Sequence, residues 1–182
     1  MNLNDIDVNA LGAFANDVKQ RPETGTAGFK VTTRWASQTK TVATVSSYQL
    51  GGKTIERSFD IAADEPVELL GTNSAPNPQE LLLAALNACM SVGYAANAAV
   101  MGIKLEKLEI ESFGQLDLRG FLGLDTSVKP GYEEVSYTVR IKSNAPREKL
   151  EELHAIVMKT SPNYSNFATA IRMVPRLVVE GS

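Results

Sequence analysis

From Asp5 to Lys19 the apolar residues Ile6, Leu11, Phe14, Ala15 and Val18 recur at helical spacing, which predicts an amphipathic helix. The period then changes. Phe29 to Ala36, Thr41 to Leu50 and Thr54 to Ala62 are rich in β-branched and aromatic residues with much two-residue alternation, so three strands are expected. Gly51-Gly52 between the second and third supplies the positive φ of a tight hairpin, because glycine has no Cβ to clash there. Asp64 to Asn77, with Pro66, Gly71, Asn73, Ser74 and Pro76, reads as a loop.

The central feature is an apolar helix from Pro78 to Met101. Asn77 can accept from the Glu80 amide, Pro78 suits the first helical position, and Glu80 can reach back to Asn77 as a capping box. Gly102 marks the other end. Lys104 to Leu118 and Glu133 to Lys142 then alternate apolar and polar residues, as strands exposed on one face do, and Gly120 to Gly131 connects them. Pro146 opens a helix with Leu150, Leu153 and Val157 on one face, and Ser161-Pro162 ends it. A short helical stretch around Phe167 to Ile171 precedes a last strand, Leu177 to Val179, which Pro175 confines to a sheet edge. The sum is an α+β chain: an N-terminal helix and linker over residues 1–28, then one domain over 29–182.

A helix from Pro78 to Met101 is roughly 36 Å long and apolar on every side, so it must be enclosed on all faces. One small sheet covers one side only, and a second copy of the chain is expected to close the other as an obligate homodimer. Leu81 to Met101 carries no charge and is long enough to span a bilayer. A membrane span is nevertheless not expected, because alanines and Asn87, Ser91 and Asn97 interrupt the stretch and no Trp, Lys or Arg anchors flank it.

Composition narrows the function. With 43% hydrophobic and 21% charged residues and a net charge of -3, the chain has no basic surface to hold nucleic acid. The start lacks the charged and apolar regions of a secretory signal, and one cysteine cannot staple a fold, so a reducing cytoplasm is the expected setting. Gly52-Lys53-Thr54 mimics the end of a phosphate loop, but Ser47 stands where its first glycine belongs and a strand follows where a helix is required. His154 has no partner at metal-site or triad spacing, and neither metal nor cofactor is expected.

Candidate chemistry therefore gathers at Cys89, which is read either as a buried small hydrophobe or as a nucleophile. Leu82, Ala85, Val92, Gly93 and Ala96 share its side of the helix and are mostly small, which suits close backbone approach or a small ligand. Tyr94, Tyr164, Phe167 and Trp35 are either core or the lining of an apolar pocket.

The run Pro76-Asn77-Pro78-Gln79-Glu80-Leu81-Leu82-Leu83-Ala84-Ala85-Leu86-Asn87-Ala88-Cys89-Met90 resembles the helix that carries the reactive cysteine in the OsmC/Ohr family of osmotically inducible and organic hydroperoxide resistance proteins. Asp64-Glu65-Pro66, Gly71 and Ser161-Pro162 look like further landmarks of that pattern. The resemblance covers roughly Phe29 to Glu180 and leaves the N-terminal helix outside it. It implies antiparallel sheets wrapped around long central helices in an intertwined dimer, with two sites between subunits. In the family's peroxidases the cysteine attacks the peroxide, aided by an arginine and a glutamate, and a second cysteine in a Cys-Pro motif resolves the sulfenic acid. Here Gln79 stands at the glutamate's place and Ser161 at the second cysteine's, so a two-cysteine cycle within one subunit is impossible. Arg34 is the nearest candidate for the activating arginine, and Lys40 the second if the register shifts. A cation beside the thiol lowers its pKa from about 8.5 toward 7 or below.

Two functions follow. In the first, Cys89 reduces an organic hydroperoxide and an external thiol completes the cycle, with Gln79 and Ser161 binding substrate. In the second, a noncatalytic dimer holds a small hydrophobic ligand in the cavity near Cys89.

Overall fold

The β-branched stretches between residues 27 and 63 pair with their neighbours in sequence, and the long apolar helix collects everything that follows. The computed structural model describes residues 1–181. Strands β1 (Asn2–Leu3) and β2 (Ile6–Asp7) form a small hairpin, and helix α1 (Val8–Gln20) follows, its first amides accepted by the Asp7 carboxylate. The expected first strand is two, β3 (Ala27–Phe29) and β4 (Thr32–Ser37), both paired to one edge of β5 (Lys40–Leu50). β6 (Lys53–Ala63) lies antiparallel along the other edge of β5 after the Gly51-Gly52 turn, where φ is +54° and +77°.

Helix α2 (Pro78–Val100) begins with the expected capping box: Glu80 N–H donates to the Asn77 side chain and Asn77 N–H to the Glu80 carboxylate, each at 2.8 Å. It ends in a Schellman motif, in which Gly102 at φ +72° lets Ile103 N–H reach Ala98 O and Gly102 N–H reach Ala99 O. β7 (Leu105–Gly114) and β8 (Val135–Ser143) form a two-stranded ribbon joined through the short helix α3 (Leu118–Phe121), an element the turn-rich sequence did not predict. α4 (Arg147–Thr160) and α5 (Pro162–Ala168) complete the described elements. The short helix therefore starts earlier than expected, directly after Ser161.

The core lies on α2, where Leu86, Met90, Tyr94 and Ala98 pack with Ile103, Leu153 and Val157 against the inner residues of the β7–β8 ribbon. α2 satisfies the length and hydropathy of a membrane span, but these residues make it the core helix of the domain. The N-terminal hairpin is pinned to it: the Asn4 side chain donates to Ile103 O and accepts from Leu105 N–H, both at 2.9 Å.

Asp64 fixes the loop that leads into α2. Its buried carboxylate accepts from the Thr39, Thr72 and Ser74 hydroxyls and from the Glu65, Thr72 and Ser74 amides. Those bonds, that from the Thr72 hydroxyl first, hold its carboxyl far below the usual carboxylate range. Gly71 is required at this crossing, since a Cβ there would sit 1.8 Å from Glu65 O.

One further expectation changes: Leu177 to Val179 form no strand, and Leu177 and Val179 are more than 80% exposed. Enclosure of α2 is incomplete within one chain, as expected of a single small sheet. Val92 and Val100 are exposed, as are Trp35, Phe59 and Ile61 of the four-stranded sheet, which stands apart from the core.

Candidate functional site

Cys89 sits near the middle of α2, half-buried, with Sγ 3.5 Å from Ser161 Oγ. Ser161 holds that place for local reasons. Its amide donates to Val157 O as the last link of α4, its hydroxyl caps α5 by accepting from Tyr164 N–H at 3.3 Å, and Pro162 suits the first position of α5. Ser161 thus ends one helix and starts the next, and it is only 5% exposed. The Tyr164 amide takes one lone pair of the hydroxyl, which leaves it a proton to give to sulfur and a second lone pair to accept from the thiol. The donor arrangement suits a thiolate, whose sulfur can only accept.

The other expected site residues lie elsewhere in this chain. Gln79 is in the first turn of α2, roughly 15 Å from Cys89 along the axis at 1.5 Å per residue. Arg34 is exposed on β4, where it pairs with Val42 and shares a sheet face with Thr32, Thr44 and Asp60. Trp35, Ala43, Phe59 and Ile61 occupy the opposite, apolar face. Lys40 stands at the turn between β4 and β5, one residue from the Thr39 hydroxyl that donates to Asp64. The structure therefore brings Cys89 and Ser161 together and leaves Gln79 and Arg34 apart from them.

Aromatic residues divide between core and cavity. Tyr94 is fully buried and hydrogen-bonds His154 Nδ1, a partnership that spacing along the sequence did not reveal. Burial pushes the Tyr94 phenol well above its ordinary value, so it keeps its proton. Trp35 lies on the separate sheet, its indole donating to Gln38 O. Tyr164 and Phe167 do line a cavity of about 280 Å³, with Leu86, Tyr132 and Tyr137. A second cavity of about 410 Å³, formed by Leu82, Ala85, Tyr132, Asn163, Phe167 and Ile171, begins one helical turn before Cys89. Asn163 holds its wall in place by donating to Ala85 O at 2.8 Å. Among the described residues no group of three His, Cys, Asp or Glu side chains is placed to hold a metal ion.

A long capped helix carrying one cysteine against a helix-capping serine, flanked by an antiparallel ribbon and a separate antiparallel sheet, defines an α+β thiol protein. The chain belongs to the OsmC-like family, whose model matches residues 71–175. Among solved structures, an OsmC-like protein from Mycoplasma pneumoniae superposes with a TM-score of 0.63 at 20% identity, over 78% of this chain and 88% of that one. A protein from Psychrobacter arcticus described as a putative osmotic stress induced and detoxification response protein gives 0.58 at 16% identity, over 74% and 85%. Organic hydroperoxide resistance protein OhrB of Bacillus subtilis gives 0.47 at 22% identity, over 80% and 91%. None of the curated proteins matches the chain by sequence.

Proposed function

We propose that the protein is a one-cysteine hydroperoxide reductase that works as a homodimer in the reducing cytoplasm. The observation that supports this reading is the Cys89–Ser161 contact, in which the hydroxyl that caps α5 lies within hydrogen-bond reach of sulfur and can donate to it once the thiol is ionised. The Cys89 thiolate attacks the distal oxygen of an organic hydroperoxide, and the O–O bond breaks. The alkoxide leaves and takes a proton to become the alcohol, while sulfur retains the other oxygen as a sulfenic acid. An external thiol then attacks the sulfenic sulfur, releasing water, and a second thiol equivalent frees Cys89 from the mixed disulfide. The apolar cavity beside Ala85 suits the organic part of the substrate.

The homodimer reading rests on the two uncovered apolar surfaces, the Trp35–Phe59–Ile61 sheet face and the Val92–Val100 side of α2, which a second copy would close reciprocally. Any cation that activates Cys89 then comes from the second copy, with Arg34 or Lys40 as the candidates.

The test is brief treatment with an organic hydroperoxide in the presence of a sulfenic-acid trap. One label per subunit at Cys89, absent in Cys89→Ser, is expected. Unmodified native protein after excess hydroperoxide would leave the second reading, a noncatalytic dimer that uses the same cavity for a small hydrophobic ligand.

A further inference from the structure

A row of aromatic rings runs from the Cys89–Ser161 contact into the core. Tyr164, whose amide donates to the Ser161 hydroxyl at 3.3 Å, sets its ring roughly perpendicular to that of Tyr137, with centroids 6.3 Å apart. Tyr137 lies 6.5 Å from the His154 ring, and His154 lies 6.1 Å from Tyr94. The row therefore joins a half-buried sulfur to a phenol that solvent does not reach, in steps no longer than 6.5 Å between rings.

The far end of the row pairs an acid with a base. Among the described residues the Tyr94 hydroxyl has one hydrogen-bond partner, His154 Nδ1. With that nitrogen unprotonated the phenol donates to it, whereas in the other tautomer the buried phenol proton has no acceptor, which costs free energy. His154 also lines an open groove with Tyr137, Thr138 and Glu151, through which an imidazolium can release a proton to water. A phenol that loses an electron must shed its proton, because the charge left on it is too costly to keep buried, and it can do so only into a base already bonded to it. Tyr94 has that base beside it.

We propose that Tyr164, Tyr137, His154 and Tyr94 form a relay that restores Cys89 after one-electron oxidation, with Tyr94 as the seat of the resulting radical. The oxidant is an organic peroxyl radical. It takes the hydrogen atom of the Cys89 thiol, so an S–H bond breaks, an O–H bond forms, and a hydroperoxide and a thiyl radical result. An electron then passes along the row to sulfur, which takes a proton from water and is a thiol again. Tyr94 gives that electron, its phenolic proton moves to His154 Nδ1, and a neutral phenoxyl radical remains in the core. The imidazolium returns a proton to solvent through the groove, and an external thiol restores the phenol by giving it a hydrogen atom, itself becoming a thiyl radical. This is one-electron chemistry and stands whether or not Cys89 also reduces hydroperoxides by two electrons.

The experiment exposes the full-length protein to alkylperoxyl radicals, made by thermal decomposition of a water-soluble azo initiator in air, and follows it by freeze-quenched EPR. A tyrosyl signal that narrows with ring-deuterated tyrosine is expected, and in heavy water it should show one strongly coupled exchangeable deuteron by ENDOR, the one held by His154. Tyr94→Phe and Cys89→Ser should each lose that component and Tyr137→Phe most of it, while Tyr48→Phe, on the separate sheet, should keep it. The deuteron coupling is read on the parent protein, so the outcome does not depend on a variant that folds poorly. A tyrosyl signal without that coupling, a signal unchanged in Tyr94→Phe or Cys89→Ser, or no tyrosyl signal at all would overturn the proposal. Sulfenic-acid labelling by metal-free hydroperoxide is scored separately on the same protein, so the relay and the peroxidase reading fail independently of one another.

Discussion

The Tyr94 hydroxyl hydrogen-bonds His154 Nδ1 across the packed interface of α2 and α4, where the phenol is fully buried. The pair fixes the register of the two helices whose other polar contact is that of Cys89 with Ser161 at the C-terminal end of α4. Tyr94→Phe removes the hydroxyl and leaves the imidazole nitrogen without its partner. A loss of about 1–2 kcal/mol in urea unfolding is expected. His154→Leu, which strands the buried phenol instead, should cost about as much or more, up to about 3 kcal/mol. Equal stability of both variants and the parent would show that water replaces the bond.

Ser161→Cys places a second sulfur beside Cys89, where the present Sγ–Oγ separation is 3.5 Å. Mild oxidation should then join the two as an intramolecular disulfide, read as a mass loss of two hydrogens and loss of sulfenic-acid labelling. Ser161→Ala tests the hydroxyl itself. Alkylation of Cys89 at neutral pH should become slower, since a hydroxyl able to donate to the thiolate is gone. An unchanged rate would assign Ser161 to helix capping alone.

Acid should weaken the loop around Asp64 first. Its folded carboxyl lies far below the unfolded value, so the stabilisation is present above about pH 4 and is lost progressively as pH falls below it. Asp64→Asn should destabilise the protein at pH 7 and flatten the decline of stability below pH 4. Parallel acid limbs in parent and variant, measured by thermal melts from pH 7 to pH 2, would contradict this.

Dimer formation carries its own test. Ala85→Asp puts a carboxylate on a side of α2 that one chain leaves open, so a monomer tolerates it and a buried interface does not. Light scattering should show the parent as a dimer and the variant as a monomer or as unfolded protein. A parent that stays monomeric at micromolar concentration would sink the homodimer reading.

How much of this was legible in the sequence follows from what each feature depends on. The capping box of Asn77 and Glu80, the Gly51-Gly52 turn and the ends of α2 and α4 are set by residues adjacent in the chain, and each lies where its local pattern predicts. The split between β3 and β4 and the helix after Ser161 depend on which strand or helix lies alongside, which alternation alone does not encode. At the candidate site, the family resemblance pointed to Cys89 and Ser161 together, and their contact is short in this chain. Tyr94–His154 was missed because the two residues are 60 apart and carry no motif.

The Asn4 clamp also bears on the order in which the chain assembles. The sheet from Ala27 to Ala63 joins segments that emerge one after another, so it can form while α2 is still being made. Asn4, in contrast, bonds to Ile103 and Leu105, a closure over 99 residues in the first case, so its segment finds its place only after the central helix is complete. The N-terminal hairpin then acts as a latch that closes only once the end of α2 is in place. Masking Asn4, or delaying it with a bulky N-terminal fusion, should leave the sheet intact and slow only the step that seals the start of β7.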